Sequence, residues 1–521
     1  MEKNVTPNVV PSWPEFNPTT STNGTFMLTS NISGSFTFRP NVVLIIAGGT
    51  FTGSGTMTGD NTTIIAAPTL VFSGTFTFAG TWKMEKVYAE NFGDTNSSNS
   101  APAINKAIIF SNASGAKVQL LAKDYVVTES IIFRGGTTLE GTIKGIHLPL
   151  DSKISKYGTT ISTASSIDII KIETTGTEVG YIDCYRFALK RVTLHYRGGG
   201  GNAININATG SLTPRQGVIE DIGISYLNAS GYNIRISGGS YIRIERVSTE
   251  GGNGIILANT TNGSAFQEYI WMKQLALSSS STSSTNACIT INKGNNIYIS
   301  EVDANDAPIG VYITNPTTQG VYSIYCDRIS TVRCGKGIWV RSDQGFLTRI
   351  FFTNTYIFAS KSTDLYGIYF SKYSSGGSYH CDDVVFDGVS IDHSSSSFYA
   401  IYDENAGLNI GRFLNVRTTA RCRLSAGKTN NQITFTKIRG ASQQIVALSG
   451  GVATIQLSAS STFPGKPIVV ASLVDRQVPI SVETTNALGG VSNLLIRPSG
   501  VTSGNITVNY SLTGFYTEMN Q

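Results

Sequence analysis

Gln274-Leu275-Ala276-Leu277, Glu301-Val302-Asp303-Ala304 and Arg328-Ile329-Ser330-Thr331 are three copies of one short pattern. Between and after them fall Cys288-Ile289-Thr290-Ile291, Gly310-Val311-Tyr312-Ile313 and Gly337-Ile338-Trp339-Val340. Each has apolar residues flanking one outward position, the alternation of a half-buried strand. The first pattern runs from Arg191-Val192-Thr193-Leu194 to Asn415-Val416-Arg417-Thr418. Its second positions (192, 222, 247, 275, 302, 329, 355, 389 and 416) are separated by 30, 25, 28, 27, 27, 26, 34 and 27 residues. The second pattern runs from Ala203-Ile204-Asn205-Ile206 to Ala400-Ile401-Tyr402-Asp403. A unit of about 27 residues cannot bury its own apolar side chains, so units stack into a solenoid with one continuous core. A leucine-rich repeat has a similar period but needs a Leu-x-x-Leu-x-Leu pattern with an Asn, which is absent, and a propeller needs longer four-strand units. The expected architecture is all-β, a right-handed parallel β-helix of about nine or more coils.

Outward from the repeat, the chain changes twice. Residues 432–517 alternate in longer stretches, such as Ile506-Thr507-Val508-Asn509-Tyr510-Ser511-Leu512, and predict a C-terminal β-sandwich over 425–521. Toward the N-terminus, Gly34-Ser35-Phe36-Thr37-Phe38 and Gly74-Thr75-Phe76-Thr77-Phe78 predict a β-rich head over 21–86. Residues 1–20 carry Pro7, Pro11, Pro14 and Pro18 and predict an extended arm suited to docking on a virion partner. The β-helix is assigned to 87–424.

That β-helix opens with Val87-Tyr88-Ala89-Glu90-Asn91-Phe92-Gly93-Asp94 and then Ala101-Pro102-Ala103-Ile104-Asn105-Lys106-Ala107-Ile108. Ala103, Ile104, Ala107 and Ile108 make a helical face, and Ser100 is placed to cap a helix near 101–112 with Pro102 in its first turn. Strands at Lys117–Tyr125 and Ile131–Gly141 follow. This order of a Phe-Gly-Asp turn, a capping helix and a Thr-Leu-x-Gly strand resembles the opening of the pectate-lyase-like β-helix superfamily. The resemblance covers about 55 residues and implies the fold; the superfamily includes lyases, hydrolases, epimerases and bacteriophage tailspikes, so it does not choose a chemistry.

Composition narrows the classes. Only 14% of residues are charged and the formal net charge is +5, without a dense basic cluster, which argues against a nucleic-acid partner. No apolar run reaches the length of a membrane span, so no membrane insertion is expected, and no secretory signal is evident at the N-terminus. Six cysteines without metal-ligand spacing predict reduced, mostly buried thiols, and neither a metal nor another cofactor is expected.

The outward positions of the second pattern end in Tyr312, Trp339, Tyr369 and Tyr402 on consecutive coils. Rungs stand about 4.8 Å apart, so these rings form a ladder suited either to sugar rings or to a subunit interface. The candidate catalytic carboxylates are Asp303 and Asp306, Glu250 one turn earlier, and Asp382 and Asp383 further on, although an outward Asp in a turn is ordinary in a solenoid. Asp382-Asp383 resembles one polygalacturonase motif, but the Gly-His-Gly that should follow is missing. Together these features predict a homotrimeric phage tail spike or fibre, made without a signal peptide, that binds a bacterial surface polysaccharide and has depolymerase activity as an option. The alternatives are a free secreted polysaccharide lyase or glycoside hydrolase, and a non-catalytic decoration fibre.

Overall fold

A computed structural model describes residues 12–13, 24–142, 158–174, 184–208, 213–226, 231–259, 267–279, 283–316, 320–342, 346–360, 363–372, 381–393, 398–404, 412–418, 421–423, 432–449, 452–456, 468–473, 480–487, 490–498 and 504–517. Two compact units divide the chain: residues 1–252 with 260–266, and residues 253–259 with 267–521. Both are built on the right-handed parallel β-helix that the period predicts.

In the first unit the head is already a stack of parallel rungs. Thr25–Leu28 pairs with Val43–Ile46, and Phe51–Ile65 pairs with Phe72–Lys83, all parallel. Phe51 aligns with Phe72, a step of 21 residues. The head therefore coils more tightly than the main repeat, a feature that alternation alone does not reveal. Its core is aromatic: Phe51 and Phe72 stack at 5.5 Å, and Phe72 continues onto Phe92 at 5.1 Å. Gly53 aligns with Gly74 and Gly59 with Gly80. A methyl on Gly74 would lie 1.8 Å from the Gly53 carbonyl oxygen, so only glycine allows this rung contact. Within the expected arm, Ser12–Trp13 adds to the sheet by pairing with Met27 and Leu28; the rest of residues 1–20 lies outside the described set.

The helix spans Ala101–Ser114 and buries the anticipated face of Ala103, Ile104, Ala107 and Ile108. Its cap differs from expectation. Ser100 has helical dihedrals and donates its hydroxyl to the Thr95 carbonyl, while Asn99 Oδ1 accepts from the backbone N–H groups of Ala101 and Thr128. The helix ends at Gly115, in the left-handed region at φ 67°. Rungs then stack in register: Val192 beside Ile222 beside Val247 on one face, Ile170 beside Ile204 beside Ile234 on another.

The second unit repeats the scheme, with Leu275 beside Val302 beside Ile329, and Ile255 beside Ile289 beside Val311, Ile338, Ile368 and Ile401. These are the pairings the two tetrapeptide patterns predict. The structure adds a third face per coil. Gln267–Ser278, Gly294–Asn305 and Val321–Val332 are 12-residue strands, each with two residues in the left-handed region: Tyr269, Asn296 and Ser323 near the start, and Gln274, Glu301 and Arg328, at φ 56°, 57° and 52°, at the bend before the outward row. The first unit bends likewise at Arg191, Asp221 and Arg246. The bend inserts one residue into the alternation, so inward Ile270 and Met272 are followed by inward Leu275 and Leu277. A strict period-two pattern loses its phase there, which is why the upstream segment is invisible to it.

From Gln432 onward the backbone pairs antiparallel, with Gln432–Ser449 against Gly504–Thr517 and Ile480–Ala487 against Gly490–Pro498. Gln432–Ser449 also pairs in parallel with Arg412–Thr418. Cys184, Cys288, Cys326 and Cys334 are free and buried, and burial pushes the Cys288 and Cys326 thiols far up.

Candidate functional site

The predicted aromatic ladder is in register. Tyr312 pairs with Trp339, Trp339 with Tyr369 and Tyr369 with Tyr402 on neighbouring strands of the second unit. Ring centroids lie 4.6, 5.5 and 5.7 Å apart. The rings are not an open row, however. Tyr312 and Tyr369 are only 7% and 8% exposed, because the ladder packs on itself and on Tyr366 and Tyr399. Tyr366 and Tyr399 come from the start of the same strands, three residues before Tyr369 and Tyr402.

The polar atoms of this cluster are tied within it. Trp339 Nε1 donates to Ser371 Oγ at 2.7 Å, and the Tyr369 hydroxyl donates to Glu404 Oε2 at 2.7 Å. Arg341 donates to the Tyr312 hydroxyl at 3.4 Å. Lys336 Nζ sits 4.4 Å from the Trp339 ring centre and 5.3 Å from that of Tyr369. Burial among these rings lowers the Lys336 ammonium below its usual range, with Glu404 pulling it back up. Burial, and then the hydrogen bond to Glu404, raises the Tyr369 phenol. The result is a rigid aromatic platform with two cations on its flank. Such a surface fits a ring with an apolar face, hydroxyls at its edge and an acidic substituent.

A second ladder escaped the sequence reading. Trp271, Tyr298, Tyr325 and Phe351 pair in register on the upstream face, with centroids 6.0, 5.1 and 5.4 Å apart and ring planes within 10°. Tyr298 and Tyr325 are 37% and 38% exposed. The signal was present as an aromatic between two apolar residues every 26 or 27 positions (271, 298, 325, 351), but the left-handed bend hides that row from alternation. Parallel rings cover one another's faces and leave mainly edges to solvent, so this stack is the poorer seat for a sugar face.

The carboxylate candidates separate. Asp303 is exposed, flanked in register by Ala276 and Ser330, so neither adjoining strand supplies a second carboxylate at that position. Asp306 lies in the left-handed region at φ 54° and accepts both Arg333 nitrogens, at 2.9 and 2.6 Å, an ordinary surface ion pair. Asp383 is an exposed bend residue at φ 59°. Asp382 pairs through its backbone with Thr348, and its side chain lies outside the described set. Glu250 ends a strand of the first unit, beside Ser225. Charged residues line the bends as a rail within each unit: in the first, Glu220 aligns with Glu245, and Lys190 and Arg246 hold Glu220; in the second, Lys273 and Asp327 stand one rung to either side of Ser300, and Asn354, Thr353 and Arg328 hold Asp327. Hydrogen bonds, from Lys190 foremost for Glu220 and from Asn354 foremost for Asp327, keep both carboxyls below their usual range.

Among the described residues, no group of three or more His, Cys, Asp or Glu side chains is arranged to hold a metal ion, and no helix is long and apolar enough to cross a membrane. No known protein family profile and no curated protein matches the chain. Solved structures similar to it include the tailspike gp61 of Pseudomonas phage phi297, with 9% identity and a TM-score of 0.39 over 82% of this chain and 99% of that one. The tailspike of Escherichia coli bacteriophage HK620, solved in complex with a pentasaccharide, has 10% identity and a TM-score of 0.38 over 82% and 93%. The A-module of the mannuronan C-5 epimerase AlgE6 of Azotobacter vinelandii has 13% identity and a TM-score of 0.38 over 68% and 99%.

Proposed function

We propose that this chain is the receptor-binding subunit of a phage tail spike, a homotrimer on the virion that attaches to a bacterial surface polysaccharide. The observation that carries the reading is the interlocked platform of Tyr312, Trp339, Tyr369 and Tyr402 with Lys336 and Arg341 on its flank. Aromatic side chains fixed by one another lose little freedom on binding, so the platform is preorganised for a saccharide. The paired cations favour a polysaccharide carrying acidic sugars. The parallel rungs supply a rigid scaffold. The antiparallel strands after Gln432 would form the sandwich that closes the solenoid's open edge and joins the subunits, and the proline-rich arm would dock the spike on its virion partner. Binding alone is the reading favoured for the platform. Depolymerase activity through Asp303, Asp306, Glu250, Asp382 or Asp383 stays a second option, weakened by the Arg333 pair on Asp306.

The test has two parts. Light scattering should give three times the chain mass of 55.7 kDa. A Trp339→Ala/Tyr369→Ala double variant should lose at least about fivefold in affinity for host polysaccharide, as expected when two aromatic contacts of about 0.5–1.5 kcal/mol each are removed. A monomer, or an unchanged affinity in a folded double variant, would overturn the reading.

A further inference from the structure

The stack of Trp271, Tyr298, Tyr325 and Phe351 takes no part in the platform, yet the rings of Tyr298 and Tyr325 stand exposed. A contiguous apolar row on a surface, rimmed by polar residues, marks an interaction site. This row has such a rim on both sides. Each strand supplies one residue to either flank, five positions apart. Along one flank run Glu268, Asn295, Tyr322 and Thr348; along the other, at the same heights, run Lys273, Ser300, Asp327 and Thr353. Lys273 is exposed and the other seven are half-buried. At the next rung the aromatic gives way to Val385, and the flank positions are both acidic, Asp382 and Asp387.

Over the four aromatic rungs the two flanks complement each other rung by rung. Glu268 is opposite in charge to Lys273, Asn295 and Ser300 each donate and accept, Tyr322 has a hydroxyl to offer the Asp327 carboxylate, and Thr348 matches Thr353. The flanks cannot meet within one chain, because five residues of extended strand hold them roughly 16 Å apart. Within its own chain Lys273 Nζ reaches Glu301 at 3.9 Å, the limit of an ion pair. A second copy, rotated about an axis parallel to the solenoid, brings the first flank of one chain against the second flank of the next at the same height. No rung then sets like charge against like. The bend residues obey the same rule: Glu301 would face Asn296, Arg328 would face Ser323, and Arg349 would face Asn354. A partner with another rise per repeat would drift out of step over these rungs, which span roughly 14 Å at about 4.8 Å each. An identical solenoid running parallel keeps step by construction.

We propose that this face is where copies of the chain meet, with the aromatic row of each turned toward a common axis and its Glu268 flank set against the Lys273 flank of the next copy. The inference rests on the trimer reading above and adds the surface that carries it and the register in which it pairs. The contact is small. A face of roughly 14 Å by 16 Å offers a few hundred Å2, against about 800 Å2 per partner in a standard interface. It therefore aligns copies that other parts of the chain also hold together, and its test reads proximity rather than dissociation.

Glu268→Cys/Lys273→Cys, oxidised with copper phenanthroline and run on a denaturing gel without reductant, should give a covalent species of three times 55.7 kDa. The two positions are too distant in one chain for a disulfide, which needs Cα atoms within about 7 Å, so the bond must join chains. Asn295→Cys/Ser300→Cys leaves every charge in place and should do the same; it decides the matter if the first pair fails to fold. The corresponding single variants should stay uncross-linked, as should the mismatched pair Glu268→Cys/Asp327→Cys, which lies two rungs out of step. Absence of a covalent trimer from both matched pairs, while light scattering still gives three chain masses, would overturn this proposal and leave the trimer reading standing. A monomer by light scattering would overturn both. Cross-linking of the single variants or of the mismatched pair, or a covalent dimer and nothing larger, would overturn the parallel same-height contact.

Discussion

Replacing Gln274 by glycine should stabilise the protein, and the sign depends on a single backbone angle. Gln274 sits at φ 56° and is exposed, outside the Arg246 and Arg328 ion-pair clusters at the equivalent bends. An L-residue in the left-handed region is disfavoured by about 1–2 kcal/mol. Glycine removes that term but gives up roughly 0.5–1 kcal/mol more backbone freedom on folding, so Gln274→Gly should gain about 0.5–1 kcal/mol. A β-branched residue is worse in this region than glutamine, and Gln274→Val should lose about 1–2 kcal/mol. Two residues along, Ala276 is exposed on the extended strand, and the same glycine change there should lose about 0.5–1 kcal/mol. The same bend column contains a glycine at Gly388, φ 68°, just beyond Asp387, which pairs with Thr353. The assay is the guanidinium midpoint read by tryptophan fluorescence at constant slope, or the unfolding half-life if refolding fails. Loss of stability in Gln274→Gly, or equal effects at 274 and 276, would refute the assignment of the bend.

Two further outcomes follow from the rungs and the charged rail. Gly74→Ala places a methyl 1.8 Å from the Gly53 carbonyl oxygen; separating the rungs should destabilise the head by about 1–3 kcal/mol, seen as faster proteolysis of residues 24–83, and an unchanged cleavage rate would argue against the parallel head. Asp327 has its carboxyl held below the usual range by Asn354, Thr353 and Arg328; its contribution is present above the unfolded value of about 4 and fades as pH falls through the folded value. Asp327→Asn should therefore narrow the gap between unfolding midpoints at pH 7 and pH 3, and a gap as wide as the parent's would show that the rail is not coupled to folding.

The two tetrapeptide rows were enough to place the solenoid, its registers and the aromatic ladder, because each inward position of a rung must meet its counterpart one coil away, and that demand prints a period on the chain. The helix face at Ala103, Ile104, Ala107 and Ile108 was legible for the same reason. What the rows could not carry depends on contacts between coils. The parallel coiling of the head rests on glycine-to-carbonyl approaches such as Gly74 on Gly53, which leave no periodic apolar mark. The third face follows a one-residue bend that breaks alternation, so the stack from Trp271 to Phe351 was missed.

Site chemistry divides along the same line. Sequence by itself determined that Tyr312, Trp339, Tyr369 and Tyr402 share one face, since strand spacing and alternation are local. Only the tertiary structure decided that Tyr312 and Tyr369 are buried by their neighbours, that Asp306 belongs to Arg333, and that the side chains of Thr193 and Ser248 are buried. Burial and pairing are properties of what lies beside a side chain in space, and in a solenoid that neighbour is a whole coil away along the chain.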